Sequence, residues 1–104
     1  MITIYKGSTR SNIRFRGDYE GSVDLTGVTF TVRNSKSDSE KPFNGALSSI
    51  VTESANANGS HIYGDYDVQT ADLVVGKHKV FGVLTFPSGE KEIFFLDVVK
   101  VEDV

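Results

Sequence analysis

Apolar and polar side chains alternate residue by residue along most of this chain, the period of a strand with one buried face. Ile2, Ile4 and Lys6 alternate with Thr3 and Tyr5, and Ile13 and Phe15 with Asn12, Arg14 and Arg16. Val28, Phe30 and Val32 alternate with Thr29, Thr31 and Arg33, the cleanest pattern of all. Ile62, Tyr66 and Val68 alternate with His61, Tyr63, Asp65 and Asp67. The last third predicts a hairpin: a strand over residues 79–86, a turn at Pro87-Ser88-Gly89, and a strand over residues 92–101. Proline cannot donate to a ladder and glycine readily takes positive φ, so this tripeptide suits a turn. No segment of helical length shows a period of 3.6 residues. The best helical candidate is one short turn near residues 70–74, with Thr70 as N-cap and Gly76 as the stop.

Clusters of Gly, Ser, Asn and Asp at 17–21, 34–41 and 56–60 separate these strands. Residues 34–60 carry the weakest pattern and predict a long loop, or a weak strand at 46–51. The expected fold class is all-β: an immunoglobulin-like antiparallel β-sandwich of about seven short strands, with 1–104 as a single domain. The cysteine pair and tryptophan of antibody domains are missing, so the likeness concerns architecture.

The hairpin is apolar on both sides. With Ser88–Gly89 as a two-residue turn, one face carries Phe81, Val83, Phe94, Leu96 and Val98. The other then carries Val80, Leu84, Phe86, Ile93 and Phe95, interrupted by Asp97. An antiparallel sheet normally keeps one face wet, and at about 25 cal/mol per Å² several exposed side chains of this size forgo several kcal/mol. Either another part of the chain covers the second face, or a neighbouring subunit does. The candidate assembly residues, drawn from both faces, are Phe81, Val83, Phe86, Ile93 and Phe95.

Composition narrows the chemistry. The 104 residues include no cysteine, which removes disulfides, thiolate nucleophiles and cysteine-ligated zinc. The apolar stretches are far shorter than the roughly 20 residues of a spanning helix, and the N-terminus lacks the features of a signal peptide. A soluble chain that is not secreted through a signal peptide is expected, with no membrane partner. The net charge of −3 argues against nucleic acid as partner. Residues 1–42 hold seven basic and five acidic side chains, and residues 43–104 hold four and nine, a polarity suited to protein contacts. Arg10, Arg14 and Arg16 share one parity and form a candidate polar contact row, able to pair with the Asp65/Asp67 row or with an acidic partner.

Other motifs are weighed against plainer readings. Arg16-Gly17-Asp18 matches an adhesion tripeptide, yet Gly-Asp at a strand end is ordinary turn chemistry. Asn58-Gly59-Ser60 matches a glycosylation sequon, but no secretion signal accompanies it. His61, Asp65 and Asp67 share a strand face and would be the centre of a metal-dependent enzyme, although outward polar residues mark any solvated strand. Tyr19, Tyr63 and Phe43 would be the platform of a carbohydrate- or receptor-binding module. No nucleotide-binding loop, nucleophile elbow or zinc-helix motif is present. The expectation is a chain without catalytic residues, metal or cofactor, and without a small-molecule ligand.

The segment Arg16-Gly17-Asp18 followed by Val23-Asp24-Leu25-Thr26-Gly27-Val28 and a strand ending Val32-Arg33 resembles a recurring pattern in tailed-phage proteins. It is similar to the β-sandwich domain at the N-terminus of phage baseplate upper proteins, and to related small tail proteins. The order that follows is similar too: an acidic strand over 65–68, then Thr70, Leu73 and Gly76, then a strand, a turn and a final strand. Lys77-His78-Lys79 replaces the aromatic strand start usual in that family. Asp24, Thr26 and Gly27 form the turn and fold motif, Gly27 letting the chain enter the alternating strand. The resemblance implies a structural protein of the virion, assembled in the bacterial host cytoplasm, with itself and other phage particle proteins as partners. Tail or baseplate is the first location it implies; head decoration or a fibre-base adaptor is the alternative. In the family another domain, often C-terminal, contacts the host, so attachment is expected here rather than host adhesion.

Overall fold

The computed structural model describes residues 1–7, 12–19, 25–34, 42–56 and 59–103. The alternating segments become strands: β1 (Ile2–Tyr5), β2 (Asn12–Tyr19), β3 (Thr29–Asn34), β4 (Gly45–Ala46), β5 (Ser48–Asn56), β6 (Gly59–Asp67), β7 (Gly76–Thr85) and β8 (Lys91–Glu102). One 3₁₀ turn, Thr70–Asp72, joins β6 to β7. A five-stranded sheet runs β1-β8-β7-β3-β4 and a three-stranded sheet runs β2-β6-β5. The second sheet has the B-E-D order and the centre of the first the G-F-C order of an immunoglobulin-like sandwich.

The all-β sandwich is as expected, with eight strands among the described residues, because the weakly patterned stretch forms strands, β4 and the nine-residue β5, rather than a long loop. Three details need correction. The pairing is not antiparallel throughout, since β1 lies parallel to β8 on the sheet edge, Ile4 opposite Val101. The 3₁₀ turn is capped by Gln69 rather than Thr70. The hairpin loop holds three residues, not two: Phe86 N–H donates to the Glu90 carbonyl at 2.9 Å and Gly89 N–H to the Phe86 carbonyl at 2.9 Å. Gly89 closes it at φ 92°, a region costly to any residue with a Cβ.

A bulge then resets β8. Phe81 pairs with Phe95 but Val80 pairs with Asp97, so Leu96 is an extra residue on its strand. Phe94 and Leu96 consequently lean on the core before the bulge, and Val99 and Val101 are buried after it.

The core lies between the sheets and gathers Ile13, Phe15, Phe30, Val32, Ile62, Tyr66, Val80 and Leu84, among others. Burying each aliphatic or phenyl side chain stabilises the fold by about 1.5–3 kcal/mol. Bare backbone makes room for the rings. A Cβ on Gly17 would stand 2.5 Å from Phe94 Cε2, and one on Gly82 would stand 2.8 Å from Phe30 Cε1. Arg16-Gly17-Asp18 is thus the interior of β2 with its glycine buried against Phe94, not an exposed adhesive turn.

Candidate assembly surface

Register decides which hairpin side chains share a face, because residues directly opposite in a ladder project to the same side. Thr31, Val83 and Ile93 form one row across β3, β7 and β8, and Arg33, Phe81 and Phe95 the next. With Val80, Gly82 and Leu84 buried, these rows face away from the core. Phe81 and Phe95 meet edge to face at 5.7 Å, a contact worth about 0.5–1.5 kcal/mol beyond burial. Even so, Ile93 is 53% and Phe95 54% exposed. Beside this patch a shallow hollow of about 340 Å³ runs between β3–β4 and the hairpin, lined by Thr31, Ala46, Val83 and Ile93 among others.

Four of the five expected assembly residues, Phe81, Val83, Ile93 and Phe95, therefore gather on one outer face. The two-residue turn had split them between opposite faces, and the three-residue loop shifts β8 by one position against β7. Phe86 leaves the set, since it is partly buried and packed against the core.

The outer face of the three-stranded sheet is polar. Arg14 stands opposite Asp65, Arg16 opposite Tyr63, and Asp18 opposite His61. Both guanidinium groups lie over the Tyr63 ring, at 5.4 Å for Arg14 and 5.7 Å for Arg16. Arg16 Nε donates to Asp18 Oδ1 at 2.7 Å, and His61 Nδ1 lies 2.8 Å from the same oxygen. Burial alone would raise the Asp18 carboxyl, but its hydrogen bonds to Arg16 and His61 and their charges outweigh it and hold the group below the usual carboxylate range. Asp18, expected in a turn at the strand end, lies within β2 beside Arg16, and the position of His61 follows from the register. Arg10 and Asp24 lie outside the described residues. Gly27 sits at φ 77° in a turn where Val28 N–H donates to the Leu25 carbonyl at 3.4 Å, which is the conformation its place in the motif requires.

The acid–base centre at His61, Asp65 and Asp67 is not assembled. Four residues along a strand span about 13 Å, so His61 and Asp65 do not converge on one small ion. Arg16 Nη2 stands 3.2 Å from His61 Nδ1, a cation where a metal would need a donor. Among the described residues no group of three or more His, Cys, Asp or Glu is placed to hold a metal. The aromatic platform is not assembled either. Phe43 is completely buried, Tyr63 is half-buried beneath two arginines, and the Tyr19 side chain is outside the described residues. In the sequon, Asn58 is outside the described residues, while Gly59 and Ser60 are buried at the start of β6.

One polar cluster had no signal in the alternation. The Asp72 carboxyl, fully buried, accepts from Phe43 N–H at 2.7 Å, Gln69 N–H at 2.7 Å and the Tyr66 hydroxyl at 2.8 and 2.9 Å. It ties the β3–β4 connection, where Phe43 has φ 60°, to the β6–β7 corner. Burial, reinforced by the hydrogen bond to Asp72 and by its charge, pushes the Tyr66 hydroxyl pKa far above its ordinary value. This cluster is enclosed in the fold and presents nothing to a ligand.

The chain matches no family model, and no curated protein is similar to it in sequence.

Proposed function

We propose that this protein is a non-enzymatic structural component of a bacteriophage particle that assembles through the outer faces of its sheets. The observation that carries this reading is the cluster of Phe81, Val83, Ile93 and Phe95 on an outer face, with Ile93 and Phe95 more than half exposed. Apolar side chains concentrated at one place on a β-sandwich, rather than scattered, mark a surface that another protein covers. Burial of the patch returns on the order of several kcal/mol at about 25 cal/mol per Å². The phage assignment rests on the likeness of the stretch from Val23 to Gly27 to tail and baseplate sandwiches, and a tail or baseplate position is the first choice. A carbohydrate- or receptor-binding module is less favoured, because Phe43 is spent in the core.

The test is mass spectrometry of purified particles from the phage that encodes the chain, with wild-type protein and with Phe95→Ser. The protein should co-purify with particles, and the variant should stay in the lysate as folded, soluble protein. A wild-type chain abundant in the lysate but absent from particles overturns the proposal.

A further inference from the structure

The two outer faces differ in character: one is an apolar patch with a basic rim, the other is polar and carries more acids than cations among the described residues. On the five-stranded sheet, the exposed Lys79 lies opposite Val98 and the exposed Lys91 opposite Thr85, at the two ends of the Phe81–Phe95 patch. Lys77 follows along β7 beside Lys100. The acid that register puts on this face, Glu102, is bridged by Lys100, while Glu92 pairs with Leu84 and so belongs to the opposite side of the strand. On the three-stranded sheet, Tyr63 stands opposite Val51, itself 46% exposed. Around that pair lie Asp65 and Asp67 of β6 and Glu53 of β5. Two cations share this face, Arg16 bonded to Asp18 and Arg14 over the Tyr63 ring opposite Asp65, and among the described residues the acids Asp18, Glu53, Asp65 and Asp67 outnumber them.

We propose that the partner of the apolar face is a second copy of this chain, docked head to tail: the lysine-rimmed five-stranded face of one copy covers the acid-rimmed three-stranded face of the next. The inference rests on the assembly reading and gives it a partner and a polarity. Charge decides against the simpler alternative. A two-fold contact of the apolar face with itself brings Lys79 and Lys91 of one copy against the same basic rim, where among the described residues the acid that register supplies, Glu102, is held by Lys100, and like charges across an interface select against that pairing. Unlike faces supply the acids. Because the two faces lie on opposite sides of one sandwich, each docking event leaves one of each face open, so the contact propagates instead of stopping at a dimer.

Complementation of two variants tests this by sedimentation. Phe95→Lys disables the apolar face, with Ile93→Lys as a second variant should the first not fold. Glu53→Lys combined with Asp67→Lys disables the acidic face at exposed positions. Wild type should form species beyond a dimer that grow with concentration, each variant alone should be monomeric, and an equimolar mixture should form a 1:1 complex and nothing larger. The contact should weaken at least tenfold between low and high salt. An acidic-face variant that dimerises alone, with no 1:1 complex in the mixture, overturns the head-to-tail contact in favour of a two-fold one and leaves the assembly reading standing. A wild type that stays monomeric at all concentrations overturns self-association, while incorporation into particles judges the assembly reading separately.

Discussion

At the β6–β7 corner, the Asp72 carboxyl is shut away from water and takes hydrogen bonds from Phe43, Tyr66 and Gln69. On the outer face of the five-stranded sheet, Phe95 and Ile93 stand more than half in water. The first region buries polar atoms and supplies every partner from within the chain. The second exposes apolar atoms even though Phe81 and Phe95 meet edge to face. A buried polar cluster that is satisfied internally belongs to the fold. An apolar cluster left uncovered is what the proposed assembly surface rests on. Conspicuous chemistry and the proposed interaction thus lie in different places: the hydrogen-bonded Asp72 carboxyl is structural, and the exposed Phe95 ring is the one to follow.

The contrast breaks most sharply at Asp72. Asp72→Ala strands the Phe43 N–H and the Tyr66 hydroxyl in the interior, at about 1–3 kcal/mol for each buried donor left unpaired. The expected loss is about 3–5 kcal/mol, read by denaturant unfolding, and at roughly 4–8 °C per kcal/mol it lowers the melting temperature by tens of degrees. A loss below about 1 kcal/mol would show that the corner does not tie the β3–β4 connection to the fold.

Next comes Gly17, whose bare backbone in β2 packs against Phe94 of the opposite sheet. Gly17→Ala places a methyl 2.5 Å from Phe94 Cε2 and should cost about 1–3 kcal/mol through overpacking. Circular dichroism melts of Gly17→Ala beside Gly89→Asn, which keeps the turn open to positive φ, would separate close packing from turn chemistry.

Tyr66→Phe sharpens the comparison with a smaller effect and a pH signature. At neutral pH the loss of the hydroxyl should cost about 1–2 kcal/mol, since Asp72 keeps its two backbone donors. The folded protein holds the Tyr66 proton well above the ordinary value of 10.0, whereas the unfolded chain releases it near that value. Stability is therefore fully present below pH 10 and falls as pH rises beyond it, by up to about 1.4 kcal/mol per pH unit. The gap between wild type and Tyr66→Phe should narrow between pH 9 and 11 in urea unfolding. A constant gap would mean the hydroxyl is not bound more tightly in the fold than out of it.

What could be read in the sequence follows from the same physics. Alternation in β2, β3 and β6 is a local signal, so the inward set Ile13, Phe15, Phe30, Val32, Ile62 and Tyr66 was legible. Two-sided apolarity of the hairpin was legible too, because Phe94 and Phe95 are adjacent and must point to opposite faces. The grouping of its residues was not. It depends on one extra residue in the loop and one at the Leu96 bulge, and a shift of one position exchanges every side chain between faces. Asp72 was illegible for another reason. Aspartate is rarely buried, and a key partner, Phe43, lies 29 residues earlier in the chain, so nothing local announces the corner. For His61, Asp65 and Asp67 the shared strand face was legible, and the plainer reading of a solvated strand stands, because convergence in space does not follow from a shared face.

The smallest expected effect on stability is at Phe95, and it carries the most information. Phe95→Ser removes one edge-to-face contact with Phe81 and apolar area already half in water, so unfolding in urea should register a loss of no more than about 1 kcal/mol. The same substitution should abolish assembly, since the removed ring is among the most exposed apolar groups of the patch. Those two readings together separate a surface residue from a core one: Asp72→Ala should lower stability steeply while leaving the outer face chemically intact, and Phe95→Ser should do the reverse. If Phe95→Ser instead unfolds the domain by several kcal/mol with assembly lost only in proportion, the ring is a member of the core and the patch is not the interface. A folded, monomeric Phe95→Ser protein places the energetics of the fold and of the assembly on opposite sides of the same sheet.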